Sequence, residues 1–427
     1  MGLYPEIQAV FDGDSDGCIV CADCRQALLH IPSDSIDAIV TDPPAGIAFM
    51  GKAWDKDKGG RDQWVGWMTD IAAKCLRVLK PGGHALVWAI PRTSHWTATA
   101  WEDAGFEVRD RVSHLFGTGF PKSLYVGKAI DKAARAKREV VGNRPYTMPK
   151  ADNTMPEKSY GISGGKLANG TTAERIVPTI TAPVTESAKQ WDGWGTALKP
   201  ACEDWWLLRK PLSEKSIAAN VLKWGTGGIS IDACRVGENP GYKYRADANG
   251  TIFHGQQGKR IRQTAEKKGA EFVESSKGRW PANVTHDGSE EVLAGFPNTG
   301  VSAGGRSGHT AAYGGGYRRE YYGDEKPGFG DSGSAARFFY CAKASKSDRG
   351  ADNKHPTVKS TKLMEWLITL ITTPGGIVLD CFAGSGSTLV AAKRLGFSFI
   401  GIEQLEEYCQ IAQTRVTNTK IPKVSFF

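Results

Sequence analysis

No run of 18 apolar residues occurs in this chain of 427, so no membrane-spanning helix is expected. The first residues carry Glu6, Asp12, Asp14 and Asp16 and lack a basic patch ahead of an apolar one, which argues against a secretory signal and for the cytoplasm. A disulfide framework is lacking too: the nine cysteines are odd in number and scattered, as suits a reducing compartment. Cys18, Cys21 and Cys24 have a tight C-x2-C-x2-C spacing. On a strand their thiols point to different faces and no matched pair lies nearby, so no metal site is expected. The remaining composition, 40% hydrophobic and 23% charged, is that of an ordinary folded protein. The length allows two or three units, or one α/β domain with a long insertion.

Two short stretches carry the chemistry. Near the C-terminus an apolar run, Gly376 to Leu379, ends in Asp380-Cys381-Phe382-Ala383-Gly384-Ser385-Gly386-Ser387-Thr388. A helical segment from Thr388 to Leu395 follows, then a second apolar run, Phe397 to Ile402, that ends in Glu403. Strand, glycine turn, helix, strand, acid is the order in which doubly wound α/β folds bind a nucleoside-bearing cofactor. The glycines let the backbone approach closely, and an acid about 20 residues on accepts from ribose hydroxyls. No Lys follows Gly386, so the turn is not a triphosphate loop. Leu389 stands where a dinucleotide turn wants a small residue, which weakens NAD. By itself the turn leaves several nucleoside cofactors open. Asp380, Phe382, Gly384, Gly386, Thr388 and Glu403 are its candidate ligands.

The second stretch is Thr41-Asp42-Pro43-Pro44-Ala45, directly after an apparent buried parallel strand, Ile36 to Val40. Two prolines stop the strand and fix a rigid turn, and the residue before a proline is held extended. Asp42 is thus placed at the carboxyl end of the strand, where open α/β sheets bind ligands. Pro43 has a carbonyl and no N–H. The turn therefore offers two acceptors, the Asp42 carboxylate and the Pro43 C=O, which suit an amino group with two hydrogens to give.

Together these motifs resemble the amino-methyltransferases of DNA, in which Asp-Pro-Pro-Tyr holds an exocyclic amine and Phe-x-Gly-x-Gly holds S-adenosylmethionine. Asp-Pro-Pro ahead of the glycine turn is similar to the beta class, with target recognition between the halves. The resemblance implies a seven-stranded-type, mostly parallel sheet with a long irregular insertion. His355-Pro356-Thr357-Val358-Lys359 resembles the family's motif at the cofactor's amino-acid end and adds Thr357, although Ser360 replaces the usual Pro. Cys21-Ala22-Asp23-Cys24 resembles the strand end whose acid, here Asp23, meets the cofactor's adenine. Segments at 116–123, 194–200 and 279–283 are similar to parts of phage and prophage enzymes. One departure bears on mechanism: Ala45 stands where the family has an aromatic that stacks on the extruded base. Phe49 and Trp54, in the loop that follows, are the candidate replacements.

Charge is unevenly placed. Residues 131–350 hold 33 Lys/Arg against 24 Asp/Glu, while the remainder is nearly neutral. Lys259, Arg260, Arg262, Lys267 and Lys268, with Arg279 behind them, are candidate phosphate contacts. The expected division is a catalytic half at 18–130, a target-recognition insertion at 131–335 with some strands docking on the core, and a cofactor half at 336–420. Residues 46–63 read as a mobile loop, Val108–Phe116 and Asp204–Arg209 as an antiparallel edge, and Ala335–Cys341 as an apolar strand. The expected activity is methylation of adenine N6 in double-stranded DNA by base flipping, within a restriction-modification setting, by a monomer or homodimer. Cytosine N4 methylation and a catalytically inactive DNA-binding relative remain open.

Overall fold

The computed structural model describes residues 4–117, 119, 123–143, 179–237, 242–246, 271–275, 278–300, 332–343, 348, 353 and 358–421. They belong to two compact units, Met1–Thr118 with Ala201–Phe427, and Gly119–Pro200.

The larger unit is built on one nine-stranded sheet. In chain order the strands are β1 Gly17–Cys21, β2 Ile36–Thr41, β3 Leu79–Ala89, β4 Glu107–Leu115, β5 Cys202–Arg209, β6 Val284–His286, β7 Tyr340–Cys341, β8 Ile377–Asp380 and β9 Ser398–Glu403. Across the sheet they run β1-β9-β8-β2-β3-β5-β4-β6-β7. All pairs are parallel except those of β5, which runs against both β3 and β4. Every residue of β2 is buried, as a parallel strand covered on both faces requires.

Alternation along the strands feeds two separate cores. Ala85, Val87, Leu379, Ile400 and Ile402 face one of them, with Met68, Ile71 and Cys75 of α2 (Arg61–Val78) and Trp101 of α3 (Ser94–Asp103); α1 (Pro5–Asp12) adds Ile7 and Val10. Val40, Leu86, Trp205, Leu207 and Val378 face the other, under α5 (Thr361–Ile371) and α6 (Ser387–Leu395). The stripe Trp64, Met68, Ile71, Cys75, Val78 repeats at helical spacing, which is why α2 forms and lies flat on the sheet. Helix α4 (Ile217–Trp224) follows β5, and α7 (Glu406–Thr417) follows β9.

Pro81-Gly82-Gly83 lies inside β3 at a register shift opposite β2, where Gly82 takes a positive φ. Three local expectations are corrected. Glu107–Leu115 is parallel to the main strands and neither it nor β5 is an edge, because β6 and β7 extend the sheet beyond them. Ala335–Phe338 is a 3-10 turn capped by Ser334, and only Tyr340–Cys341 is strand. Residues 46–55 are tied down. Asp55 is buried and accepts from the backbone N–H groups of Gly46 (3.1 Å) and Phe49 (2.7 Å), which fixes two 3-10 turns.

The smaller unit contains a helix, Val126–Ala133, a hairpin of Glu139–Asn143 with Thr179–Ala182, and a short helix, Glu186–Gln190. Asp131 organises it, accepting from Arg138 Nη1 (2.6 Å), Thr185 Oγ1 (2.8 Å) and the N–H groups of Val184 and Thr185.

The contact between β9 and α6 leaves no spare room on the sheet. A Cβ at Gly401 would overlap Leu389 Cδ1. Gly401→Val should therefore cost about 1–3 kcal/mol by overpacking, read as a lower urea midpoint. Combining it with Leu389→Ala should cost less than the sum of the two single changes, a coupling that a double-mutant cycle detects.

Candidate active site

Parallel pairing brings the two motifs side by side. Val378 and Leu379 of β8 pair with Ala38 and Ile39 of β2. Asp380 therefore comes level with Val40, and Asp42 leaves β2 beside the start of the glycine turn. The junction is braced by Thr41 Oγ1, which donates to Asp380 Oδ1 at 2.7 Å in a fully buried bond. Asp380 also accepts from Phe382 N at 3.1 Å and from Thr388. Both Asp380 and Thr388 are buried, so they shape the turn from below. Phe382 sets its ring against Trp67 of α2, 6.1 Å between centroids.

On the other side of β2, Thr41 pairs with Val87, so Asp42 comes level with Trp88 of β3. Both follow residues of the α5 face by one strand repeat, Val40 and Leu86, and so share that face. Lys359 reaches in from the segment before α5. Its Nζ lies 3.2 Å from Asp42 Oδ2, 3.5 Å from Glu203 Oε2 and 3.8 Å from the centre of the Trp88 ring. Trp88 Nε1 in turn donates to Glu203 Oε2 at 2.9 Å. Burial pushes the Asp42 carboxyl up to about 6, against the pull of the Lys359 ammonium, and Glu203 adds to the rise. His114, opposite Glu203 across β4 and β5, shares a 2.9 Å hydrogen bond with Thr285 Oγ1, and burial lowers its pKa. The turn after Pro44 is anchored by Thr93 Oγ1, which donates to the Ala45 carbonyl at 2.8 Å.

The glycine turn faces β9. Glu403 Oε2 accepts from Gly384 N and Oε1 from Leu405 N, each at 2.9 Å, which aims the carboxylate over the turn. Burial raises its pKa, and these N–H groups offset part of the rise. Gly386 sits at φ +78° as the cap of α6. A Cβ there would stand 2.9 Å from Ala412 Cβ, so this glycine also serves the packing of α7. Cys21 pairs with Glu403, which puts Asp23 at the same end of the sheet. Asp23 caps the helix Cys24–Ala27 and is held below the usual carboxylate range by hydrogen bonding to the Arg25 side chain.

Of the remaining candidates, Trp54 engages Tyr408 of α7, which lies past β9. Phe49 is half-buried in the loop fixed by Asp55. Arg279 lays its guanidinium on Phe338 at 4.8 Å. Thr357, Lys259, Arg260, Arg262, Lys267 and Lys268 lie outside the described residues. Sequence reasoning missed Trp88 and Glu203 and assigned Lys359 only by motif. The signal available was position: Trp88 is at the carboxyl end of a parallel strand, and Glu203 opens an antiparallel one, so both fall on the binding edge.

The family model described as DNA methylase (N6_N4_Mtase) matches residues 186–414. This chain belongs to that family. Homologous methyltransferases use S-adenosylmethionine. The match includes Lys359, the glycine turn and Glu403; Asp42 lies outside it. Among curated proteins, the type II methyltransferase M2.DpnII of Streptococcus pneumoniae is 51% identical over 63 residues, 15% of this chain and 24% of that protein. M2.LlaDCHI of Lactococcus lactis subsp. cremoris is 37% identical over 98 residues, 23% of this chain and 36% of that protein. The chain thus spans about a quarter to a third of the length of these relatives. Among solved structures, the cytosine-N4-specific PvuII DNA methyltransferase aligns with a TM-score of 0.44 at 13% identity, covering 96% of this chain and 89% of its own. The complex of M1.HpyAVI with SAM gives 0.38 at 17% identity, covering 93% and 98%.

The donor set suits a nucleoside. Glu403 has lone pairs left for ribose hydroxyls, Asp23 stands on the adjacent strand for an exocyclic amine, and the backbone between Phe382 and Gly386 is free of bulky side chains on the cap of α6. The same edge carries a liability. Asp42 titrates near 6 when folded and near 4 when unfolded. Its contribution to stability is therefore complete below about pH 4 and is lost as pH rises through about 6. Asp42→Asn removes the buried charge and should raise stability at pH 8 by about 1–2 kcal/mol, given the 22% of the side chain that is exposed, read as a higher melting temperature. The advantage should shrink between pH 6 and 4, as a pH series of melting curves would show.

Proposed function

We propose that this chain transfers a methyl group from S-adenosylmethionine to an exocyclic amino group of a base in double-stranded DNA, with adenine N6 as the target. The observation that carries this reading is the Asp42 carboxylate at the end of β2, one strand from the glycine turn and two from Glu403. The preference for adenine rests on Asp-Pro-Pro, the form commoner among enzymes that act on that base.

In this reading Phe382, Gly384, Gly386, Glu403, Asp23 and Thr357 hold the donor, with Asp380 and Thr388 shaping the turn. When bound, S-adenosylmethionine supplies an electrophilic methyl carbon on its sulfonium. The amino nitrogen of a base is a poor nucleophile because its lone pair is delocalised into the ring. Asp42 and the Pro43 carbonyl accept its two hydrogens, so the nitrogen rehybridises and its lone pair is freed for attack. Placing the reacting atoms in line at roughly 3–3.5 Å is worth about 7–11 kcal/mol. The negative charge on Asp42 stabilises the positive charge that grows on nitrogen. A carboxyl titrating near 6 is charged at neutral pH, yet basic enough to take the proton that the methylated nitrogen sheds. A base inside a duplex is out of reach, so it is flipped out at a cost of a few kcal/mol. The basic residues between 131 and 335 hold the backbone through its phosphates, and this segment reads the target.

Nucleoside mass spectrometry of DNA incubated with the protein and S-adenosylmethionine should find N6-methyladenine. N4-methylcytosine instead would move the target, and no new nucleoside would favour a binding protein. Asp42→Ala should abolish transfer while calorimetric affinity for S-adenosylmethionine stays unchanged. In the wild type the turnover number should fall on the acid side of about pH 6, as Asp42 gains a proton and loses its acceptor. A flat profile from pH 8 to 5 would contradict the role given to Asp42.

A further inference from the structure

Ala45 leaves the Asp-Pro-Pro turn without the aromatic ring that a flipped base needs on one of its faces, and the structure supplies one from a different strand. Trp88 stands beside Asp42 in register, on the same face of the sheet. It is only partly buried, and its ring plane is fixed by the bond from Nε1 to Glu203. The Lys359 ammonium reports the spacing directly. A single nitrogen donor, 3.2 Å from Asp42 Oδ2, simultaneously lies 3.8 Å from the centre of the Trp88 ring. An amino nitrogen bound to the same carboxylate oxygen would bring its attached ring over the indole.

We propose that Trp88 is the platform on which the target base stacks, taking the role that Ala45 cannot fill, and that the Lys359 ammonium keeps the platform covered until the base arrives. The proposal rests on the reading of the site as a base-methylating centre. On entry of the base, Lys359 gives up Asp42 and the ring face and keeps its second partner, Glu203 at 3.5 Å. The alternative rings serve less well by placement. Trp54 is engaged by Tyr408 beyond β9, and Phe49 belongs to the loop folded around Asp55. Stacking on an indole is indifferent to which base is presented, so this platform holds the target and leaves its identity to the polar groups around it.

The test compares Trp88→Phe, Trp88→Leu and Trp88→Ala in steady-state methylation of plasmid DNA from a host lacking the modification. Melting temperature and calorimetric affinity for S-adenosylmethionine are measured alongside. Trp88→Leu keeps an apolar side chain without a π face. It should lose about 5- to 140-fold in kcat/KM for DNA, the range for one base–aromatic stack, with donor affinity unchanged. Trp88→Ala should lose at least as much, and Trp88→Phe should stay within about 5-fold of wild type. Trp88→Leu with wild-type kcat/KM would overturn the proposal. So would Trp88→Phe falling as far as Trp88→Leu, since the ring would then matter only as structure. A wild-type protein that leaves DNA unmethylated would remove the functional reading, and this proposal with it.

Discussion

Everything at the candidate site depends on β2 and β8 being adjacent and parallel, and the buried bond from Thr41 to Asp380 is where that adjacency is fixed. Two segments more than 300 residues apart in the chain thereby end on the same rim. A neutral hydroxyl donating to a buried carboxyl, backed by Phe382 N and Thr388, satisfies an otherwise costly group. The bond also ties the proline turn to the glycine turn, so neither can shift along its strand without breaking the other's hydrogen bonds. One consequence is economy: the loops above need only fill in around a rim whose spacing the sheet has already set.

Much of this was legible in the residues. Mostly apolar runs ending in an acid marked β2, β8 and β9, and proline or glycine punctuation marked where the first two give way to a turn. Those signals are local, and they were read correctly because parallel strands buried on both faces tolerate almost nothing else. The short strand β6 was not legible, since three residues carry no periodicity, and β7 was read only as the end of a longer run. Nor was the grouping of Trp88, Glu203 and Lys359 around Asp42. Their positions span 317 residues of chain, and only the strand order makes them neighbours. A Trp within an apolar strand also has no mark to distinguish a ring lining a site from one filling a core, and Trp205, its partner across β5, is wholly buried.

The region matched by the family model begins at 186, after the proline turn, and contains most of what surrounds the glycine turn. The electrostatics set the two turns apart. Asp380 and Asp42 are both lifted to about 6 by burial, but only Asp380 has its charge met by hydroxyl and amide donors. Asp42 is met by the Lys359 ammonium on a long stem, an arrangement that can be exchanged for a ligand.

That ammonium is a competitor tethered to the chain. Its effective concentration at the carboxylate does not fall when the protein is diluted. A free nucleobase or a small amine has to displace it with nothing but its own contacts. A base delivered by a duplex arrives with the binding energy of many phosphates behind it and can afford the exchange. Selection for polymer over monomer would then be exerted by a single lysine.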